Sequence, residues 1–219
     1  MDQKVGREEF EKLLRFKMRP EDVELVMEAY RMSKYGHRGQ MRESGERYFE
    51  HPKAVALMLV KELRIYDRDM IIVALLHDTE EDTYIFGAGE TAFATVEKQF
   101  GKRPSNMLRA LSKEPCEPEQ KIVRDTKYNL GMARADIEVK IIKILDRVHN
   151  MGTIVACPME KQKRKLEETH TYYLPIAREI AKFFPLLLER LEEICANTET
   201  RIERDESAAR PAQPFPNNP

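Results

Sequence analysis

Tryptophan is absent from the 219 residues, cysteine is held to three, and no hydrophobic run exceeds seven residues. Those longest runs, 54–60 and 70–76, fall far short of the ~20 apolar residues that span a bilayer. Residues 1–10 alternate charge with apolar side chains and lack the h-region of a secretory signal. Cys116, Cys157 and Cys195 are odd in number, lie far apart and form no CxxC pair, which argues against a disulfide framework or a cysteine-rich zinc site. There is no basic excess either: 37 Lys and Arg face 38 acidic residues, for a net charge of −1. Neither a nucleic-acid polymer nor a membrane is therefore expected as a charge-driven partner. The expectation is a reduced, cytoplasmic, globular protein with enough chain for a real core.

What is present reads as helix after helix. Helical spacing of Val23, Val26, Met27 and Tyr30 predicts a helix over 21–34, and His51-Pro52 opens another with Pro52 in its first turn. The segment 69–82 is apolar nearly all round at 70–76, as a central buried helix would be. A buried strand also fits seven apolar residues, but the acidic stretch that follows without a turn signal favours the helix. Further helices are predicted at 92–100, 105–111, 119–133, 136–151, 160–173 and 175–197. Residues 84–91 (YIFGAGET) read as a loop beside the pocket. From Thr198 the chain turns polar, and four of the twelve prolines lie in its last nine residues. The expected layout is a lead-in over 1–20, one all-α domain over 21–197, and a disordered Pro-rich tail over 198–219.

Chemistry concentrates around few residues. His77 and Asp78 end the most apolar helix and run into Glu80, Glu81 and Asp82, giving HDTEEDT over 77–83. So many ionisable groups beside an apolar helix carry a large desolvation cost, which a divalent cation would offset. A lone HD dipeptide is ordinarily just a solvated helix end. Here a second apolar helix (KIIKILDRVHN) carries Asp146 with Asn150 one turn on, and His51 precedes a helix-starting proline.

Together these segments resemble a known family. RESGERYFEHP (42–52) resembles the first motif of the Rel/Spo-type alarmone hydrolases, ALLHD with EDT (74–83) the second, and KILDRVHNMGT (143–153) the third. Glu168-Thr169, Tyr173 and Pro175-Ile176-Ala177 resemble a later segment. The motifs are colinear over about 25–180. The resemblance implies an all-α HD-domain helical bundle, a metal-dependent phosphohydrolase that removes the 3′-pyrophosphate of ppGpp and pppGpp to leave GDP or GTP. It further implies His51, His77, Asp78 and Asp146 as metal ligands, with Mn²⁺ as the metal. Two imidazoles and two carboxylates suit Mn²⁺, Fe²⁺ or Zn²⁺ on chemical grounds alone. Glu81 and Asp82 would position the attacking water and handle protons.

For the substrate, the resemblance implies Arg42, Ser44, Asn150 and Thr153. Arg42 otherwise reads as one more surface arginine, and Tyr173 is a weaker candidate, since a tyrosine at helical spacing is more often core. Lys143 and Arg147 flank Asp146 and are suited to phosphate, although Arg147 equally suits a salt bridge to Asp78 or Glu81. His37, His149 and His170 read as ordinary packed or surface residues. The chain departs from the family at Gly152 and Arg47, where arginine and proline are usual, and in Leu111-Ser112-Lys113. Its length leaves no room for a synthetase domain, so a stand-alone hydrolase is expected. Two other readings keep the same residues: an HD phosphohydrolase for an adenosine alarmone or NADPH, and a non-catalytic nucleotide-binding module. Oligomeric state is not legible.

Overall fold

A computed structural model describes residues 5–209. Among them the architecture is all α, with only two isolated β-bridges, Met41 to Arg47 and Ile85 to Gly87. The long helices are α1 (Arg7–Arg15), α2 (Pro20–Gly36), α3 (Glu50–Lys61), α4 (Arg68–Leu76), α6 (Glu90–Phe100), α7 (Lys102–Leu111), α8 (Lys121–Met132), α9 (Ile137–Gly152), α10 (Met159–Glu168), α11 (Leu174–Ile180) and α12 (Pro185–Ala209); α5 (Thr79–Asp82) is a single turn. No helix among the described residues is long and apolar enough to cross a membrane.

The centre is α4, every residue of which from Asp69 to Leu76 is buried. Its start is capped by Asp67, whose carboxylate accepts from Met70 N at 2.9 Å. Helices α2, α3, α7 and α9 pack around it, so α4 meets α3 and α9 inside the bundle. Burying a leucine- or isoleucine-sized side chain contributes about 2 kcal/mol, which makes α4 a principal anchor of the fold together with α9. Gly101 ends α6 at φ +103° and lets α7 begin at once.

Several boundaries differ from the sequence reading. The helix expected over 69–82 breaks after Leu76. Thr79 Oγ1 donates to Leu76 O at 2.6 Å, competing for the carbonyl that a continuing helix would use. Expected helix 160–173 ends in a π-helical turn, Thr169–Tyr173. Expected helix 175–197 is interrupted at 181–184, because a residue preceding proline disfavours helical backbone and Pro185 starts α12. That helix runs on to Ala209, past the expected end of the domain at Asn197, with Thr198 and Ile202 buried. The rest of the expected tail lies outside the described residues. Within the expected lead-in sits α1, with Phe10 and Leu14 fully buried.

Candidate metal centre and cleft

Three elements bring four side chains together. His51 sits in the first turn of α3, His77 and Asp78 at the break between α4 and α5, and Asp146 midway along α9. The Nε2 atoms of His51 and His77 are 3.2 Å apart. His51 Nε2 lies 3.1 Å from Asp146 Oδ1 and 3.4 Å from Asp78 Oδ2. His77 Nε2 lies 3.3 Å from Asp78 Oδ1 and 3.7 Å from Asp146 Oδ1. One donor atom each from His51, His77 and Asp78 fits within 4.8 Å. The break after Leu76 matters here, since it turns His77 and Asp78 toward α3 and α9 instead of carrying them on along the α4 axis.

The donor set fits a divalent cation. His77 Nδ1 is 2.9 Å from Ala74 O, a contact only an N–H can make, so Nε2 presents its lone pair to the cluster. His51 Nδ1 meets His149 Nδ1 at 2.9 Å, which leaves Nε2 of His51 facing the same point. With both rings neutral, two imidazole lone pairs and two carboxylates converge on one point. Burial works against a charged His77, yet Asp78 and Asp146 draw its pKa up to about 9. The cluster calls for positive charge. Burial likewise opposes ionisation of Asp146, but Lys143 Nζ, 2.9 Å from Oδ2, and the two imidazoles hold its pKa well below the ordinary range.

Above this cluster opens a cleft of about 200 Å³. His77, Asp78 and Asp146 form its floor, while His51 is buried behind them at 1% exposure. Six cations line it: Arg42, Lys113, Lys143, Arg147, Lys161 and Lys165. Carboxylates gather at the floor and cations outnumber acids on the walls, where Glu43 pairs with Lys161 at 2.7 Å. The tight turn of the first motif places Arg42. Its backbone N–H donates to Glu46 O at 2.8 Å, and Gly45 takes φ +78° at the corner. The Arg42 guanidinium donates to Asn150 Oδ1 at 2.8 Å and to Thr153 Oγ1 at 3.3 Å, joining the first motif to the third. Asn150 Nδ2 in turn donates to Asp146 Oδ1.

Other expected residues are distributed as follows. Ser44 and Tyr173 line the cleft, Tyr173 as a fully buried wall residue whose hydroxyl donates to Asn129 Oδ1 at 2.6 Å. Glu81 lines it too, its Oε1 accepting from Lys113 N at 2.8 Å. The residue is open to water, but protein crowds its carboxylate, and that desolvation pushes the pKa up. Asp82 does not line the cleft; it accepts from Tyr48 OH at 2.6 Å. Arg147 stacks on Tyr173 at 3.9 Å and donates to Glu168 at 3.0 Å, so its anionic partner is Glu168 and neither Asp78 nor Glu81. None of residues 84–91 lines the cleft, contrary to expectation, because Phe86 turns into the core and Gly89 N–H is held by Glu80 at 3.2 Å.

Sequence reasoning missed several contributors, His149 and three wall cations among them. His149 was classed as packing, although it lies one turn before Thr153 in the third motif. Lys161 and Lys165 carry no local signature, and Lys113 is marked only by the segment Leu111-Ser112-Lys113; all three reach the cleft through tertiary structure.

The HD domain family profile (HD_4) matches residues 29–180, from within α2 to the end of α11. Over 167 residues the chain is 34% identical to the bifunctional (p)ppGpp synthase/hydrolase SpoT of Escherichia coli K12, covering 74% of this chain and 22% of that protein. It is 33% identical over 181 residues to the guanosine-3′,5′-bis(diphosphate) 3′-pyrophosphohydrolase of Aquifex aeolicus, covering 79% and 24% respectively. The chain therefore spans about a quarter of the length of these curated relatives. The solved structure of a metazoan ortholog of SpoT that hydrolyses ppGpp shares the fold, with a TM-score of 0.67 at 23% identity over 79% of this chain and 94% of that one. The profile spans every residue that builds the cleft and its floor, and the chain belongs to the HD domain family.

Proposed function

We propose that the protein is a divalent-metal hydrolase that removes the 3′-pyrophosphate of (p)ppGpp, leaving GDP or GTP. The observation that carries this reading is the convergence of His51, His77, Asp78 and Asp146 at the floor of a cleft walled by six cations. A substrate with several phosphate groups matches those walls, and its scissile ester would lie at the acidic floor. The names of the bacterial relatives supply the substrate.

His51, His77, Asp78 and Asp146 would hold the cation, for which Mn²⁺ is the proposed identity. When bound, that ion supplies Lewis-acid polarisation of a phosphoryl oxygen and acidifies water. The remaining steps belong to the chain. Arg42, fixed by Asn150 and Thr153, orients the nucleotide, with Ser44 and Tyr173 bounding the site. Lys143, Lys113 and Lys165 balance phosphate charge. Glu81, with its raised pKa, takes a proton from the attacking water, and Asp82, linked to Asp78 through the Tyr48 hydroxyl at the edge of the cleft, assists in orienting it. The water oxygen joins phosphorus as the bond to the ribose 3′-oxygen breaks, and a proton passes to that oxygen. Localisation in the cytoplasm accords with such a substrate.

The test is a nucleotide panel with Mn²⁺, read as pyrophosphate release. Release from ppGpp with formation of GDP is expected. Cleavage confined to an adenosine alarmone or to NADPH would replace the substrate, and binding without any cleavage would replace catalysis by a binding role.

A further inference from the structure

Tyr48 stands three residues before His51 and is used by the fold in a way that none of the roles above covers. Its hydroxyl lies 2.6 Å from Asp82 Oδ2 and 3.1 Å from Asp78 Oδ2. A phenol carries one proton, and both carboxylates only accept, so the shorter contact to Asp82 takes it. The ring itself is gripped. His37 stacks on it with centroids 4.7 Å apart and planes 17° from parallel, and the Arg42 guanidinium stands 5.9 Å from its centroid.

His37 closes the arrangement. It is buried at 2% exposure, and its Nδ1 lies 2.8 Å from Gln40 Oε1. Gln40 Nε2 donates to the backbone oxygen of Asp82 at 2.7 Å. Asp82 is thus held twice, side chain by Tyr48 and backbone by Gln40, and both holders rest on His37. It needs such holding, because α5 is one turn long and Asp82 is its exposed last residue. An acid on so short a support samples several rotamers unless a donor selects one.

We propose that Tyr48 is a positioning residue, its hydroxyl locking the Asp82 carboxylate beside Asp78 and its ring coupling that lock to Arg42. The inference rests on the hydrolase reading and adds to it a residue that acts through Asp82 without bonding to the reacting atoms. A misplacement of about 1 Å in such a group costs roughly a hundredfold in rate.

Tyr48→Phe removes the hydroxyl and keeps the ring. It is expected to lower kcat for ppGpp by roughly tenfold to a hundredfold, with KM and melting temperature unchanged. In an Asp82→Ala background the same change should have no further effect; a full additional loss there would overturn the proposal. A second readout needs no turnover: the carboxylate carbon-13 resonance of Asp82 in the apoprotein, assigned by its disappearance in Asp82→Ala. It should shift in Tyr48→Phe, and an unmoved resonance would overturn the proposal. If the wild-type protein cleaves no ppGpp, the hydrolase reading fails and this resonance alone decides the positioning.

Discussion

His51 and His149 face each other through their Nδ1 atoms at 2.9 Å, one ring on α3 and the other on α9. Burial, followed by the neighbouring His51 and Arg42, lowers the pKa of His149 to about 3, so it is neutral and can accept. The Nδ1–H of His51 then points at His149, and its Nε2 lone pair points at the cluster. Replacing His149 by Phe removes the acceptor and leaves the ring space filled. Mn²⁺ affinity should weaken by about tenfold to a hundredfold, as for other partners of metal-bound histidines. Calorimetric titration of the apoprotein checks this, and unchanged affinity would show that His51 is oriented by other means.

Glu81 accepts from Lys113 N and lines the cleft over the acidic floor. Glu81→Gln preserves size and hydrogen bonding but cannot take a proton. Turnover should fall by about 10² to 10⁴ with KM nearly constant, the usual loss for a general base. Single-turnover kinetics at saturating nucleotide distinguish this from a binding defect, which would instead appear in KM.

Glu168 sits between Arg147 and Lys165, at 3.0 Å and 2.7 Å. Burial opposes its charge, yet the two cations lower its pKa from 4.5 to about 2. A depressed acid stabilises the fold above its unfolded pKa and loses that contribution as pH falls through the folded value. The contribution should therefore be complete near neutrality and decline between about pH 4.5 and pH 2, amounting to roughly 3 kcal/mol. Glu168→Gln leaves Arg147 buried and unpaired, so it should cost about 3–5 kcal/mol at neutral pH. Urea unfolding of both proteins across this pH range tests the sign, since the mutant should lose its difference from wild type in acid.

Much of the architecture is legible because apolar residues recur at helical spacing: α2 and α9 lie near their predicted bounds, and α3 begins near its predicted start. The convergence of His51, His77, Asp78 and Asp146 was legible only through motif resemblance, since no periodicity brings residues 51, 77 and 146 together. What escaped was set by local competition or by distance. Thr79 breaks the helix by a side-chain bond to Leu76 O, which apolar patterning does not register. Arg147 could have paired with several acids, and only packing of the π-helical turn against α9 selects Glu168. Lys113 and Lys165 join the cleft from elements far apart in the chain.

Removal of metal should leave the fold standing. The buried core running through α2, α3, α4 and α9 is apolar and independent of the four candidate ligands. Chelation is expected to abolish turnover while the far-ultraviolet helix signal persists. Re-addition of Mn²⁺ at a hundred times its dissociation constant should raise stability by about 2.7 kcal/mol, through binding to the folded state alone. Thermal melts with and without chelator measure this, and loss of helix on chelation would mean that the ion is structural.

The helix missed at the N-terminus backs the start of α3, which carries His51. The Phe10 and Tyr30 rings meet at a 31° tilt with centroids 5.6 Å apart, and Tyr30 meets Phe49 edge-on at 4.8 Å, one residue before α3 begins. Lys53 adds a second tie, donating to Val5 O at 3.1 Å and to Glu50 Oε2 at 2.6 Å. Phe10 and Leu14 are one turn apart, a signal hidden by the charges around them in REEFEKLLR. Because Phe10 is fully buried, Phe10→Ala opens a cavity beneath the start of α3. It should cost about 3–5 kcal/mol. Its effect on Mn²⁺ affinity should be small while the protein remains folded, since His51 is also fixed by His149 and by α9. Urea unfolding together with Mn²⁺ titration separates the two effects: unchanged stability would mean that α1 is dispensable, whereas a large loss of affinity in the folded variant would mean that α1 sets the ligand geometry itself.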